Sequence, residues 1–337
     1  MMNLIAKLRG EWNKPAKIAG LSFLFAFLMV FPQLGIKTVY VRYGCNILMY
    51  ATLAGSLNII NGYSGQSCLG QAGFFCIGAY TCAVLSTKFG LSFWLCLPLG
   101  GILGAIVGGL VSLPTLRLQG IYLSIVTLGA SEIIRIIAQS WTDVTGGSMG
   151  IKSIPKPQLF GTMIFKPQDY FYIFLALGVI FLFASARVLK SRVGRAWMSI
   201  REDQIAARSL GVEIKRYKSI NFMYGAFWAG VIGAAYAPFV SFIESSQFTL
   251  DTGFDVLAMV VIGGQGTLVG PIVGATIVTV LTEALRFLSY WRYVIYALII
   301  ILMMWVRPQG LVGASNSMLA GKQLVRRQDK KAGGAKA

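Results

Sequence analysis

Long apolar runs, parted by short stretches that are polar, glycine-rich or basic, recur along the whole chain. In order they are Ile18 to Gly35, Tyr43 to Ile60, Leu69 to Thr87, Phe93 to Leu113, Ile121 to Gln139, Tyr170 to Leu189, Ser219 to Ile243, Gly253 to Gly263, Leu268 to Leu285 and Trp291 to Val306. Most approach the ~20 residues that a helix needs to cross a bilayer, and Gly253 to Gly263 is the shortest. The pattern therefore predicts an all-α polytopic membrane protein with about ten transmembrane helices, some broken or short. Ile18 to Gly35 is long for a signal-peptide core and lacks an A-x-A site, so it reads as a retained first span.

The interruptions carry more information than the runs. A polar, basic island, Gly194 to Gly211 (GRAWMSIREDQIAARSLG), is amphipathic: Trp197, Ile200 or Arg201, Ile205 and Leu210 can share one flank, while Arg201, Glu202, Asp203, Gln204 and Arg208 face water. This predicts a short surface helix ended by Gly211, with Ala206, Ala207 and Gly211 leaving a small-residue notch for another protein. Asn58 to Gly73 (NIINGYSGQSCLGQAG) sets four glycines and several polar side chains between two apolar runs. Such backbone fits either a turn outside the membrane or a broken helix beside a substrate path. Gly263 to Gly270 (GGQGTLVG) poses the same choice. Gly100, Gly104 and Gly108, with Ser112 next, strip one helix face to backbone, as close helix packing needs.

Composition narrows the class. Of 337 residues 56% are hydrophobic and 12% charged, more apolar surface than a soluble domain can bury. The net charge of +18 suggests nucleic acid, but Lys and Arg cluster in the flanks of apolar runs, where they fix topology. With the N-terminus in the cytosol, ten spans place both strongly basic segments, Leu189 to Lys218 and the region after Val306, on the cytosolic side. The boundaries that follow are a basic N-terminus at 1–17, a transmembrane body at 18–313 with the loop 194–211, and a disordered basic tail at 314–337.

Candidate chemistry is sparse. Histidine is absent, and the cysteines Cys45, Cys68, Cys76, Cys82 and Cys96 form no CxxC and read as small apolar fillers, so neither a metal site nor a hydrolytic enzyme is indicated. Gly65 to Gly70 has the spacing of a phosphate loop, but Gln71 and Ala72 stand where Lys and Ser or Thr belong. The chain has no ATPase site of its own there. Glu132 with Arg135, and Glu283 with Arg286, are i,i+3 pairs that read as neutralised neighbours. Asp251, Asp255 and Glu244 flank an external loop.

Several blocks resemble a known family. Ile205-Ala206-Ala207 and Gly211 occupy the places of the E-A-A-x-x-x-G signature of ABC-importer permeases, departing from it in Ile205 for Glu and in lacking an Ile-x-Leu-Pro ending. The wider stretch GRAWMSIREDQIAARSLGV is similar to that of branched-chain amino-acid permeases of the LivM type. So are Asn61 to Tyr80, Leu116 to Gly129, Thr142 to Ile151 and Gly263 to Ala275, in the same order. The resemblance implies an ABC-importer permease architecture in the bacterial inner membrane. The partners it implies are a second permease, two cytosolic ATPases that bind the ATP, and a periplasmic solute-binding protein. It also implies that Arg201, Glu202, Asp203, Ala206, Ala207, Arg208 and Gly211 dock the ATPase, the charges through salt bridges. The translocation path is expected beside Asn61, Gly62, Ser64, Gly65, Gln66, Gln71, Gly263, Gly264 and Gln265. A permease for urea or short amides, or an ion-coupled secondary transporter, is the alternative.

Overall fold

The structure is a computed structural model that describes residues 31–33, 37–116, 118, 120–159, 162–284, 297–298, 301, 305 and 310–312. The basic N-terminus 1–17 and the tail 314–337 lie outside these residues, and the runs 18–35 and 291–306 almost entirely so. Each of the eight remaining apolar runs is a helix. They are α1 (Thr38–Asn58), α2 (Gln71–Lys88), α3 (Phe93–Thr115), α4 (Ile121–Ser140), α5 (Pro167–Lys190), α8 (Ile214–Val240), α9 (Leu250–Gly263) and α10 (Gly270–Ala284). Among the described residues α3, α4, α5 and α8 are long and apolar enough to cross a membrane by themselves. Between α5 and α8 lie two short helices, α6 (Arg192–Glu202) and α7 (Gln204–Ser209). The chain is a helical, multi-pass membrane protein, as its pattern predicts.

Helix α8 runs through the middle and is buried along most of its length, from Asn221 to Pro238. The glycine strip of α3 explains how it gets so close. A Cβ on Gly104 would lie 2.6 Å from the Ala226 carbonyl and one on Gly100 would lie 2.9 Å from Ala234 Cβ. Backbone meets backbone along this seam, the arrangement small residues permit where no aqueous hydrophobic effect drives helices together. Gly78 of α2 meets Gly230 of α8 on the same terms.

At one end of the body the two-residue strand β1 (Ile151–Lys152) pairs antiparallel with β4 (Phe242–Ile243), Ile151 opposite Ile243, and a hairpin joins β2 (Gln158–Leu159) to β3 (Thr162–Met163). The loop between α4 and α5 is thereby tied to the end of α8. Beneath it Phe75, Tyr80, Tyr236 and Phe248 pack ring on ring at 5.2 to 6.4 Å. Trp197 of α6 sits at the opposite end in a separate cluster with Ile59, Phe181, Leu189 and Trp228. All five cysteines are buried and free, as small fillers would be.

Candidate functional site: a capped helix pair on a polar joint

The predicted surface helix is two helices. Ser191 starts α6, its Oγ accepting from Val193 N at 3.2 Å, and Trp197 and Ile200 turn into the body. Trp197 is fully buried and its Nε1 donates to the Tyr217 carbonyl at 2.9 Å, which satisfies the indole while its ring packs. The break falls at Asp203, where φ is −156°. Its Oδ1 accepts from Ile205 N at 2.7 Å and Ala206 N at 3.0 Å, so this carboxylate is the N-cap of α7. Gly211 ends α7 in the left-handed region at φ +81°, with Val212 N donating to Ala207 O and Gly211 N to Arg208 O, both at 3.0 Å. That is the Schellman arrangement, and it bears out Gly211 as the terminating residue.

The break rotates α7 away from the single-helix expectation. Ile205 and Leu210 do not join Trp197 on the inner flank but stand 80% and 82% exposed. Ala207, expected in an outward notch beside Ala206 and Gly211, is buried, while Ala206 and Gly211 are exposed. Glu202 and Arg208 face outward as expected. Gln204 is half-buried and accepts from Lys218 Nζ at 3.2 Å.

Arg201 does more than face water. Its Nη1 donates to the Gly62 carbonyl. A Cβ on Gly65 would lie 3.1 Å from Arg201 Cγ, and one on Gly266 would lie 2.6 Å from Arg201 Nη1. Both glycines have positive φ, +67° and +78°. One side chain of α6 therefore touches both glycine-rich interruptions, which the sequence separates by 200 positions.

Those interruptions are also bonded to each other. Helix α1 runs on through a π-helical turn, Ile59–Tyr63, and the chain then doubles back in an irregular segment, with Gly65 at φ +67°, to the start of α2. Asn58, almost completely buried, donates from Nδ2 to Thr267 O at 2.8 Å and accepts at Oδ1 from Gly266 N at 2.9 Å. Asn61 clasps Cys68, accepting from its N at 3.0 Å and donating to its O at 3.3 Å. Gln66 donates to Ser64 Oγ at 2.7 Å and to Asn221 Oδ1 at 3.2 Å, and Asn221 donates to Ile59 O at 3.1 Å. Leu69 N donates to Thr127 Oγ1, 3.0 Å away on α4, and Gln71 Nε2 to Ser56 Oγ at 2.5 Å. The returning segment thus penetrates the helical body and is more than an outer turn. Freed backbone groups find their partners inside the protein, as broken helices in membranes require.

Of the residues expected along a path, Gly62, Ser64, Gln66, Gln71, Gly263 and Gly264 are buried, Asn61 is half-buried, and Gly65 and Gln265 are exposed. Most of the polar side chains are committed to holding the joint, which sets them apart from the open lining that glycine and polar composition suggested. The sequence reading missed Asn58, Asn221, Lys218 and Thr127 as members of this network. Their signal was a polar side chain inside or at the edge of an apolar run, a costly placement without partners. Glu132 and Arg135 form the predicted pair, and Glu283 accepts from Tyr43 Oη at 2.5 Å. An open apolar cavity of about 650 Å³ between α3 and α5, lined by Trp94, Phe165 and Tyr172, lies apart from the joint.

The family described as "Branched-chain amino acid transport system / permease component" matches residues 39–304. The chain is 39% identical over 296 residues to the high-affinity branched-chain amino acid transport system permease protein LivM of Escherichia coli strain K12, covering 81% of this chain and 69% of that protein. It is 28% identical over 218 residues to the ribose import permease protein RbsC of the same strain, covering 61% of this chain and 65% of that one. With the branched-chain permease protein LivH of Salmonella typhimurium it shares 24% identity over 286 residues, 78% of this chain and 91% of the relative. No solved structure gives a significant match.

Proposed function

The chain belongs to the branched-chain amino acid transport permease family, and from that premise we propose that it is one of two membrane subunits of an ATP-driven importer of branched-chain amino acids. In this reading the end bearing α6 and α7 faces the cytosol and the β1–β4 end faces a periplasmic solute-binding protein. A second permease of similar build completes the path, and two cytosolic ATPases supply the work. The protein lies in the inner membrane with both termini in the cytosol. The chain itself is a transport subunit without an ATPase site or cofactor.

The observation that carries this reading is α7. Two large aliphatic side chains, Ile205 and Leu210, project from a well-capped helix into open space beside Glu202 and Arg208. Exposed apolar anchors ringed by charge are the make-up of a protein interface. Arg201, on the adjoining α6, reaches the joint between the two broken segments, so force on α7 passes through α6 by a short route into the membrane body. The route transmits work only if the ATPase contacts differ between nucleotide states.

Ile205→Asp and Leu210→Asp test it. Each is expected to leave membrane abundance unchanged, because neither side chain packs on the body, and to abolish co-purification of the ATPase. Retained co-purification in the double variant removes the docking assignment. Gly211→Trp is the companion test: the space around Gly211 is open, but at φ +81° any side chain strains the end of α7, so the variant disturbs the docking helix itself and uptake is expected to fall in an inserted protein.

A further inference from the structure

Helix α4 presents three strips of different character. Leu123, Thr127, Ser131 and Ala138 are buried against the body, and Gly73 of α2 packs so tightly there that a Cβ on it would lie 2.8 Å from Ser131 Cα. Ile125, Ile133, Ile136 and Ile137 are exposed and apolar, as a lipid-facing side should be. On the flank between these strips the helical period sets Ser124, Glu132, Arg135 and Gln139 in one polar line. Arg135 Nε donates to both Glu132 carboxylate oxygens at 3.0 Å, Nη2 donates to one of them as well, and Nη1 donates to Gln139 Oε1 at 3.3 Å. Side-chain exposure of the pair is 22% for Arg135 and 29% for Glu132.

Depth makes the pair unusual. Glu132 stands eleven positions beyond Ile121, about 17 Å along a span of about 30 Å, near the middle of the bilayer. Ionised side chains at that level face protein or water, not hydrocarbon. The flank also points to a definite place. Ser124 Oγ donates to Ser67 O of the returning segment at 3.4 Å. Helix α9 packs beside the same segment, where a Cβ on Gly253 would lie 3.2 Å from Leu69 O and 3.9 Å from Ala72 Cβ at the start of α2. At its Ser124 end the polar line thus borders the angle between α4 and α9, over the segment that leads into α2.

We propose that Glu132, Arg135 and Gln139 form a way station for a zwitterionic α-amino acid crossing the membrane, with the solute carboxylate on the Arg135 guanidinium and its ammonium group on Glu132. The proposal rests on the importer reading above and names the chemistry of its path. An ion pair suits this task because it neutralises itself when empty. When the solute arrives each charge exchanges one partner for another, so no unpaired charge is left at depth in either state. The guanidinium fork fits a carboxylate with two parallel bonds. Gln139, one turn farther along the helix, holds the guanidinium in place.

The test uses the whole complex, reconstituted in proteoliposomes with its ATPase and solute-binding protein. Glu132→Gln combined with Arg135→Met removes both charges at similar volume, a change that a purely structural pair tolerates. Leucine uptake is expected to fall roughly tenfold or more, while subunit co-purification and ATP hydrolysis stay within about twofold of wild type. Uptake at the wild-type rate overturns the proposal. Separation of the subunits also overturns it, since the pair would then be an interface contact. Labelling of Gln139→Cys by a small thiol reagent gives a second readout in the assembled complex. Millimolar leucine is expected to slow labelling, whereas isopentylamine and 4-methylpentanoate, each lacking one of the two charges, are not. Equal protection by all three, or by none, counts against the station. Failure of the importer reading shows separately, as a wild-type complex that neither hydrolyses ATP nor imports leucine, and the proposal falls with it.

Discussion

Arg201→Ala removes the contact by which α6 reaches both broken segments, and its cost can be worked from the structure. The lost interaction is a charge-assisted hydrogen bond to the Gly62 carbonyl, a class worth about 1.5–3 kcal/mol. Arg201 is exposed, so solvent screening argues for the lower end, about 1.5 kcal/mol, which is roughly tenfold in an equilibrium constant. Ile205 and Leu210 are untouched, so docking should survive. The expectation is an assembled complex that hydrolyses ATP but moves less amino acid per ATP consumed, by up to about tenfold. Arg201→Lys keeps a donor but loses the planar fork and should recover part of the loss. The measurement is uptake and phosphate release on the same proteoliposomes. An unchanged ratio in Arg201→Ala refutes the transmission argument. Loss of the ATPase from the purified complex would show instead that Arg201 contacts the partner directly, in the salt-bridge role that the sequence alone suggested.

The remaining predictions concern packing and the joint. Gly104→Val, which forces a branched side chain against the Ala226 carbonyl, should destabilise the detergent-solubilised protein by about 3 kcal/mol and lower its membrane abundance, whereas Gly129→Ala, with open space around the site, should be neutral by the same assays. Asn58→Ala strands the half-buried Gly266 N and Thr267 O and should cost about 1–2 kcal/mol in thermal unfolding, with Asn58→Asp no better because it supplies no donor and buries a charge. In thiol labelling of the solubilised complex, Gln265→Cys should react, while Gln66→Cys and Gln71→Cys should be protected, in keeping with their burial. Trp197→Ala should cost about 3–5 kcal/mol and release α6 to proteolysis, since it empties the cluster that anchors that helix.

What the sequence determined by itself was set by local, repetitive physics. Apolar runs, most of them approaching bilayer length, gave eight helices close to where the periodicity placed them. The bare strip at Gly100, Gly104 and Gly108 announced a close helix contact, and Gly211 announced a helix end, because each depends on neighbours only a few positions away. The tertiary structure decided what depends on distant parts of the chain. Asp203 could cap a helix or meet a partner, and only the fold shows it bonded to Ile205 N and Ala206 N. That break turned Ile205 and Leu210 outward and Ala207 inward, against the single-helix wheel. Arg201 was legible as a surface charge, but its partner Gly62 lies 139 residues away. The polar interruptions at 58–73 and 263–270 became one joint only when Asn58 satisfied Gly266 and Thr267 across some 200 residues. In a low-dielectric body every buried backbone group must find a partner, and a linear pattern records the need without recording which distant segment meets it.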